Sequence, residues 1–368
     1  CWRVTGDPYI LWLGHEGAPG NPLLGGKFAN LAEMTAAGFA VPLGFGVSTA
    51  AYRHFIAKTC LLAEVEAVRR SARTLALADI KACSAELVAA ISSAPMPAEL
   101  DAAVRENYAL LEEKAGERAV PVAVRSSGES EDLAGASFAG QYDTYLWIKG
   151  ADAVLKNIRA CWASMFGEAV LTYRREIDYE ATALDSAICV GIQQMVEARA
   201  AGVMFTLDPL NGDRSKIVLE ACWGLGEGVV KGDLTPSRFV VDKVTFEIIK
   251  QEVVSQTEEY RFDPTSGTVG LLPVSAERSE RACIAIEEAV ALAELAKHVE
   301  KVRGAPQDIE WAISETGDIR ILQVRPETVW SQRVVCGLVE STKSPVDHVL
   351  SRLTGVPVTG SGPRKSSS

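Results

Sequence analysis

The stretch GAPGNPLLGGKFANL, Gly17 to Leu31, sets one lysine behind two glycines and ahead of apolar residues at helical spacing, Phe28, Leu31 and Ala32. A P-loop needs G-x-x-x-x-G-K-[ST], because its backbone amides wrap phosphate while the hydroxyl after the lysine holds a metal. Asn21 stands where the first glycine belongs and Phe28 replaces the hydroxyl, so the segment is not a P-loop. Lys27 then reads either as a cation aimed from a tight turn or as a solvated lysine that follows one.

A second group of residues lies in VAVRSSGESEDLAGASFAGQYDTYL. Arg125 ends a short apolar run suited to a buried strand, and the Ser- and Gly-rich loop after it offers backbone N–H groups to oxygens. That combination suits phosphate; an arginine paired with Glu129, Glu131 or Asp132 is the structural alternative. Gly140 and Thr144 could give close backbone approach and a hydroxyl, or be plain turn and strand residues. In DIEWAISETGDIRILQVRPET, alternation puts Asp308 and Glu310 on one strand face, and Gln323 and Arg325 on one face of the next. If SETGD closes a hairpin, two carboxylates, an amide oxygen and a guanidinium meet around one point, although a register slip of one residue would reverse the faces. Oxygen donors of this kind suit Mg²⁺ with phosphates and water completing its shell, while a surface hairpin with cross-strand ion pairs is the plainer alternative. Gln193, Met195 and Val196 end an apolar strand and could border a flat ring, or belong to the core. The glycines of WGLGEGVVKG mark a tight loop and carry little information alone.

The elements that must position these groups come from an ordinary globular chain. It has 368 residues, 48% of them hydrophobic, enough for two or three domains. With 37 basic and 48 acidic residues the net charge is −11, so no overall field attracts nucleic acid or anionic lipid, and an anionic ligand needs a local cation cluster. The 8 cysteines show no C-x-x-C and no neighbouring histidine, which speaks for reduced thiols and a cytoplasmic location rather than zinc or disulfides. No run reaches the roughly 18 apolar residues of a membrane helix, and no signal-peptide layout opens the chain. It begins at Cys1 rather than Met, as expected of a trimmed or processed terminus.

Periodicity predicts a helix from about Lys27 to Ala37, a turn over Val41 to Gly46, a helix capped by Ser48, and helical sequence from Cys60 to Ser93 and Ala98 to Lys114. Strands follow at Val120–Val124 and Tyr142–Ile148, then one long helix from Ala151 to Glu176. Further strands fall at Ala187–Val196, Gly202–Thr206, Lys216–Cys222, Arg238–Val241 and Phe246–Val254. A helix over Glu277 to Arg303 precedes the hairpin of Asp308–Ile313 and Ile319–Val324. Mixed helices with largely antiparallel strands argue for an α+β fold. The polar end GPRKSSS is expected to be disordered.

Nine segments, GGKFANLAEM, VPLGFGVS, VAVRSS, EDLAGASFAGQYDTYL, QQMV, GVMFTLDP, WGLGEGVVKG, DIEW and LQVRPET, occur in an order that resembles a known family. It is the N-terminal nucleotide-binding region of phosphoenolpyruvate synthase and pyruvate phosphate dikinase, and the resemblance runs from about Leu24 to Thr328. The resemblance implies an ATP-grasp fold with an N-terminal lobe over 1–186, including a helical insert at 48–116. A C-terminal lobe would span 187–330, and 331–368 would be linker and polar tail. It implies that ATP and Mg²⁺ are bound. Lys27 and Arg125 would contact phosphate, Gly140 and Thr144 would belong to the covering loop, and Gln193, Met195 and Val196 would lie by the adenine. Glu310 and Gln323 would hold Mg²⁺ with Asp308 assisting, and Arg325 would stabilise the transferred group.

The departures matter as much. In the full-length family, ATP phosphorylates or pyrophosphorylates a histidine on a mobile domain, marked by a T-x-H-x-A segment. The histidines here are His15, His54, His298 and His348, none in that setting. His348, in SPVDHVL, reads as linker or helix surface. The chain is therefore expected to need a carrier-histidine domain or subunit, as in phenylphosphate synthase of phenol metabolism, which the arrangement resembles, with phenol or pyruvate as final acceptor. A truncated phosphoenolpyruvate synthase and a non-catalytic adenine-nucleotide-binding regulator are the alternatives.

Overall fold

A computed structural model of the chain describes residues 8–71, 77–128, 132–133, 136–137, 143–176 and 187–330. Gly140, Tyr142, His348 and the segment GPRKSSS lie outside the described residues. The chain up to Thr328 forms one compact unit, and Val329–Ser368 belongs to another.

The first part of the compact unit runs β1 (Ile10–Trp12), a 3-10 turn at Pro22–Leu24, α1 (Gly25–Ala36), β2 (Gly44–Val47) and the helices α2 (Thr49–Lys58), α3 (Leu62–Ser71), α4 (Leu77–Ser93) and α5 (Ala98–Ala115). Then come β3 (Val122–Gly128), the two-residue strands β4 (Asp132–Leu133) and β5 (Ala136–Ser137), β6 (Thr144–Ile148), α6 (Ala151–Ser164), α7 (Glu168–Glu176) and β7 (Ile188–Gln194). The rest comprises β8 (Ala198–Phe205), β9 (Lys216–Trp223), α8 (Glu227–Lys231), β10 (Ser237–Asp242), β11 (Ile248–Glu252), β12 (Glu258–Asp263), β13 (Thr268–Pro273), α9 (Ala276–Ser279), α10 (Ile286–Arg303), β14 (Gln307–Ser314) and β15 (Ile319–Pro326). The fold is α+β. Among the described residues no helix is long and apolar enough to cross a membrane.

Two antiparallel sheets organise these elements. One has the order β1-β2-β7-β3-β6, the other β11-β10-β9-β8-β14-β15, and β12 pairs with β13. The first sheet packs with α2 to α7 around Phe45, Phe55, Val124, Trp162, Phe166 and Ile192. In the second core, Phe28, Leu31 and Met34 of α1 join Phe239, Trp311 and the apolar stripe Leu292, Ala293, Ala296 and Val299 of α10. Each of the large side chains is fully buried, worth about 1.5–3 kcal/mol apiece relative to exposure.

Local chemistry sets the ends of the helices. Ser48 Oγ accepts from Ala51 N at 3.3 Å and starts α2, while Gly116 and Gly304, at φ of 68° and 70°, end α5 and α10 in the left-handed conformation. The helix predicted over Ala151 to Glu176 is instead two, broken at Met165–Gly167. There Phe166 enters the core, and its carbonyl accepts from Ser84 Oγ at 2.7 Å.

Val41 to Gly46, predicted as a turn, contains the start of β2, which lies between β1 and β7. Glycine serves close packing there: a Cβ on Gly46 would come 2.4 Å from Leu24. β7 completes the five-stranded sheet by pairing with both β2 and β3, so the passage from one sheet to the other falls between Gln194 and Ala198.

Candidate functional site

Lys27 sits in the first turn of α1, whose own N-cap position, Leu24, has no side chain to cap with. Ser127 of β3 supplies the cap from another element: its Oγ accepts from Phe28 N at 3.1 Å and donates to Leu24 O at 2.8 Å. Gly25, at φ 63°, permits this approach, since a Cβ there would lie 2.0 Å from Ser127 O. On the other side of the helix, Asn30 Nδ2 donates to Val324 O of β15 at 3.2 Å. Arg303 Nη2 donates to Asn30 Oδ1 at 2.8 Å, and Arg303 also pairs with Glu33. The helix that carries the lysine is thus tied to both sheets.

Between those sheets lies a cavity of about 690 Å³. Lys27, Arg125, Thr144, Gln193, Met195, Val196, Asp308, Glu310, Gln323 and Arg325 all line it, so every candidate residue within the described segments reaches one space. Gly140 lies outside those segments.

Arg125 is the most connected of them. Its Nη1 donates to Leu322 O at 3.2 Å and Gln193 Oε1 at 3.4 Å; its Nη2 donates to Gln323 Oε1 and lies 3.6 Å from Glu310 Oε2. The alternative partners Glu129 and Glu131 lie outside the described residues.

The β14–β15 hairpin places Asp308 opposite Arg325 and Glu310 opposite Gln323, the register that brings the two pairs together. One step farther, Trp311 faces Ile321, so Leu322 is an extra, bulged residue. A bulge re-aims the groups around it. Here the carbonyl of Leu322 accepts from Arg125 and, at 3.5 Å, from Gln193 Nε2.

Asp308 Oδ2 meets Arg325 Nε at 3.3 Å, whereas its Oδ1 is buried without a hydrogen-bond partner. Burial pushes the Asp308 carboxyl up to about 6 despite the Arg325 guanidinium, and Glu327 adds to the rise. The orphaned Asp308 oxygen lines the same cavity as the Glu310 carboxylate and the Gln323 amide, hard oxygen donors of the kind that fit Mg²⁺. Among the described residues no group of three or more His, Cys, Asp or Glu could hold a metal ion. A cation here would therefore draw further ligands from phosphate and water, as Mg²⁺ ordinarily does.

The other end of the cavity is apolar. Ala198, Ala201, Leu225 and Ala312 form its floor, with Leu146, Met195, Val196 and Leu322 packed against them. Packed against the same apolar cluster, Trp147 adopts φ 60°, rare for a bulky residue, and stacks on Phe262 with centroids 5.3 Å apart and planes 12° off parallel.

Further lining residues escape the motif reading: Asp143, Glu220, Glu227 and Lys231. For Glu220 a signal exists, because it is a lone carboxylate inside the otherwise apolar run IVLEACW. Glu227 and Lys231 belong to WGLGEGVVKG and pair with each other at 2.9 Å.

The sequence that builds this site is similar to those of known proteins. The chain is 38% identical over 352 residues to a probable phosphoenolpyruvate synthase of Staphylothermus marinus, covering 88% of the chain and 42% of that protein. It is 37% identical over 354 residues to a phosphoenolpyruvate synthase of Aeropyrum pernix, covering 88% and 43%. It is 39% identical over 311 residues to the prodigiosin synthesizing transferase PigC of Serratia marcescens, covering 84% and 32%. The chain thus spans less than half the length of these relatives. Residues 21–343 match the family model described as pyruvate phosphate dikinase, AMP/ATP-binding domain. Cavity, motifs and relatives agree, and the chain belongs to the pyruvate phosphate dikinase AMP/ATP-binding domain family.

Proposed function

We propose that the chain is the ATP-binding component of a phosphotransferase, of ATP-grasp fold, which passes a phosphoryl or pyrophosphoryl group to a histidine on a separate carrier domain or subunit, as in phenylphosphate synthase. The observation that carries this reading is the convergence of Lys27, Arg125 and Arg325 with Asp308, Glu310 and Gln323 on one cavity whose far end is apolar. Three cations meet the charge of a triphosphate; the apolar floor takes the base beside Gln193, Met195 and Val196, and Thr144, which lines the same cavity, offers its hydroxyl to the phosphates. Glu310 and Gln323, assisted by Asp308, would hold Mg²⁺, which when bound offsets phosphate charge.

During transfer the P–O bond to the leaving nucleotide breaks as the P–N bond to the imidazole forms. Arg325 and Lys27 neutralise charge that builds on the moving group, and cations already fixed in place do this without reorganising. Arg125 holds Gln193 and Gln323 in place and faces the same phosphates. The six free thiols among the described cysteines go with a reducing, cytoplasmic setting.

A second reading has its own support. The relatives named phosphoenolpyruvate synthase are more than twice as long as the segment they share with this chain, so the chain can equally be the nucleotide-binding part of such an enzyme, with pyruvate as the final acceptor. Both readings are tested by incubating the protein with ATP labelled at the β or γ position and candidate carrier-histidine proteins. Acid-labile label on the carrier supports transfer, and the labelled position separates phosphoryl from pyrophosphoryl. Phenol or pyruvate added next identifies the acceptor. ATP binding with no label on any carrier would leave a nucleotide-binding regulator.

A further inference from the structure

Glu220 stands on β9 among Ile217, Val218, Leu219, Ala221 and Cys222, all fully buried, and opens on the cavity. No hydrogen bond or ion pair to another described residue holds its carboxylate. Burial raises its pKa, tempered by the charge of Arg238. Arg238 faces it from β10 but turns its Nη2 to Asp208 Oδ1 at 3.2 Å. A half-buried carboxylate without donors is costly unless a ligand supplies them.

Its position limits what that ligand group can be. Glu220, Val203, Glu310 and Gln323 stand in register across four neighbouring strands, so Glu220 is two strands, about 10 Å, from Glu310. Among the described residues no group of three or more His, Cys, Asp or Glu could hold a metal ion, so nothing marks Glu220 and Glu310 as a shared cation site. Phosphate would be repelled. Along the strands, the row containing Glu220 lies two residues, about 7 Å, beyond the apolar floor at Ala201 and Ala312. It lies two residues short of the row containing Asp308 and Arg325. That place, between the apolar floor and the row of Asp308 and Arg325 and two strands aside from Glu310, is where a nucleotide carries its sugar.

We infer that Glu220 accepts hydrogen bonds from the ribose hydroxyls of the bound nucleotide and makes the site selective for ribonucleotides. The inference rests on the proposed ATP site. The carboxylate acts on binding alone, and no bond is made or broken there.

Calorimetry on the full chain with Mg²⁺ and ATP, 2′-deoxyATP or 3′-deoxyATP tests it. Hydrogen bonds to a charged acceptor predict that the unaltered protein binds at least one deoxy analogue roughly ten- to a hundredfold more weakly than ATP. Glu220→Met keeps the length and fills the half-buried space without an acceptor; it should bind ATP and the analogues within about threefold of each other, with Glu220→Gln between. If the unaltered protein binds ATP but ignores both hydroxyls, or if Glu220→Met keeps full discrimination, the inference fails alone. If it binds no ATP at all, the proposed function fails with it. The comparison of analogues on the unaltered protein stands even if a variant does not fold.

Discussion

At the scale of single residues, Arg125 concentrates the site's order in one guanidinium. It serves Gln193, Gln323, Glu310 and the Leu322 carbonyl together, so it acts as scaffold before any ligand arrives. Arg125→Met leaves Glu310 without its cation and two acceptors without a donor. We expect a loss of about 1–3 kcal/mol in urea denaturation and no measurable ATP heat in calorimetry. Asp308 gives a prediction with a sign. Its carboxyl titrates near 6 in the fold and near 4 in an unfolded chain, so the folded state favours its protonated form. Its contribution to stability is full below about pH 4 and is lost as pH rises through about 6. In the presence of a chelator, Asp308→Asn should abolish that decline, so that the variant gains on the unaltered protein between pH 4 and 7 in thermal melts. A parallel pH course for both proteins would refute the assignment.

At the scale of elements, the decisive joint is α1 on β3. Ser127→Ala removes the acceptor for the buried Phe28 N–H and should cost about 1–2 kcal/mol, with weaker nucleotide binding as Lys27 shifts with its helix. Urea midpoints and titrations with ATP check both halves, and Ser127→Thr should restore part of each. This joint was illegible in the sequence: the glycines before Lys27 announce a turn, but nothing in a single chain says that a serine 100 positions later caps it. The β14–β15 hairpin was legible, because a period-two pattern surrounds SETGD and its register follows from the turn. β12 was not, since Tyr260 and Phe262 alternate with Glu259, Arg261 and Asp263 over one repeat only, too short a pattern to mark a strand. The placement of β7 was also beyond reach, because strand order within a sheet depends on partners that lie far away in the chain. Among the residues that line the cavity, those carrying charge in short motifs stand out in the sequence, whereas Glu220 looks like one acid in an apolar strand until the register sets it level with Glu310.

At the scale of the whole molecule, the two sheets meet around a cavity that a ligand would fill from both sides. Saturation with Mg²⁺ and ATP at a hundred times Kd should therefore stabilise the protein by about 2.7 kcal/mol, measured as a shift of the urea midpoint. The cavity's margins are unequal. α1 is fastened to β3 through Ser127 and to β15 through Asn30, while beside the apolar cluster of Ala198, Ala201 and Leu225 a stack of Trp147 on Phe262 joins β6 to the β12–β13 hairpin. A book with a sewn spine and a loose fore-edge opens one way. Nucleotide exchange should accordingly be governed at the ring stack, and Phe262→Ala should speed release in stopped-flow displacement several-fold while leaving the melting temperature nearly unchanged.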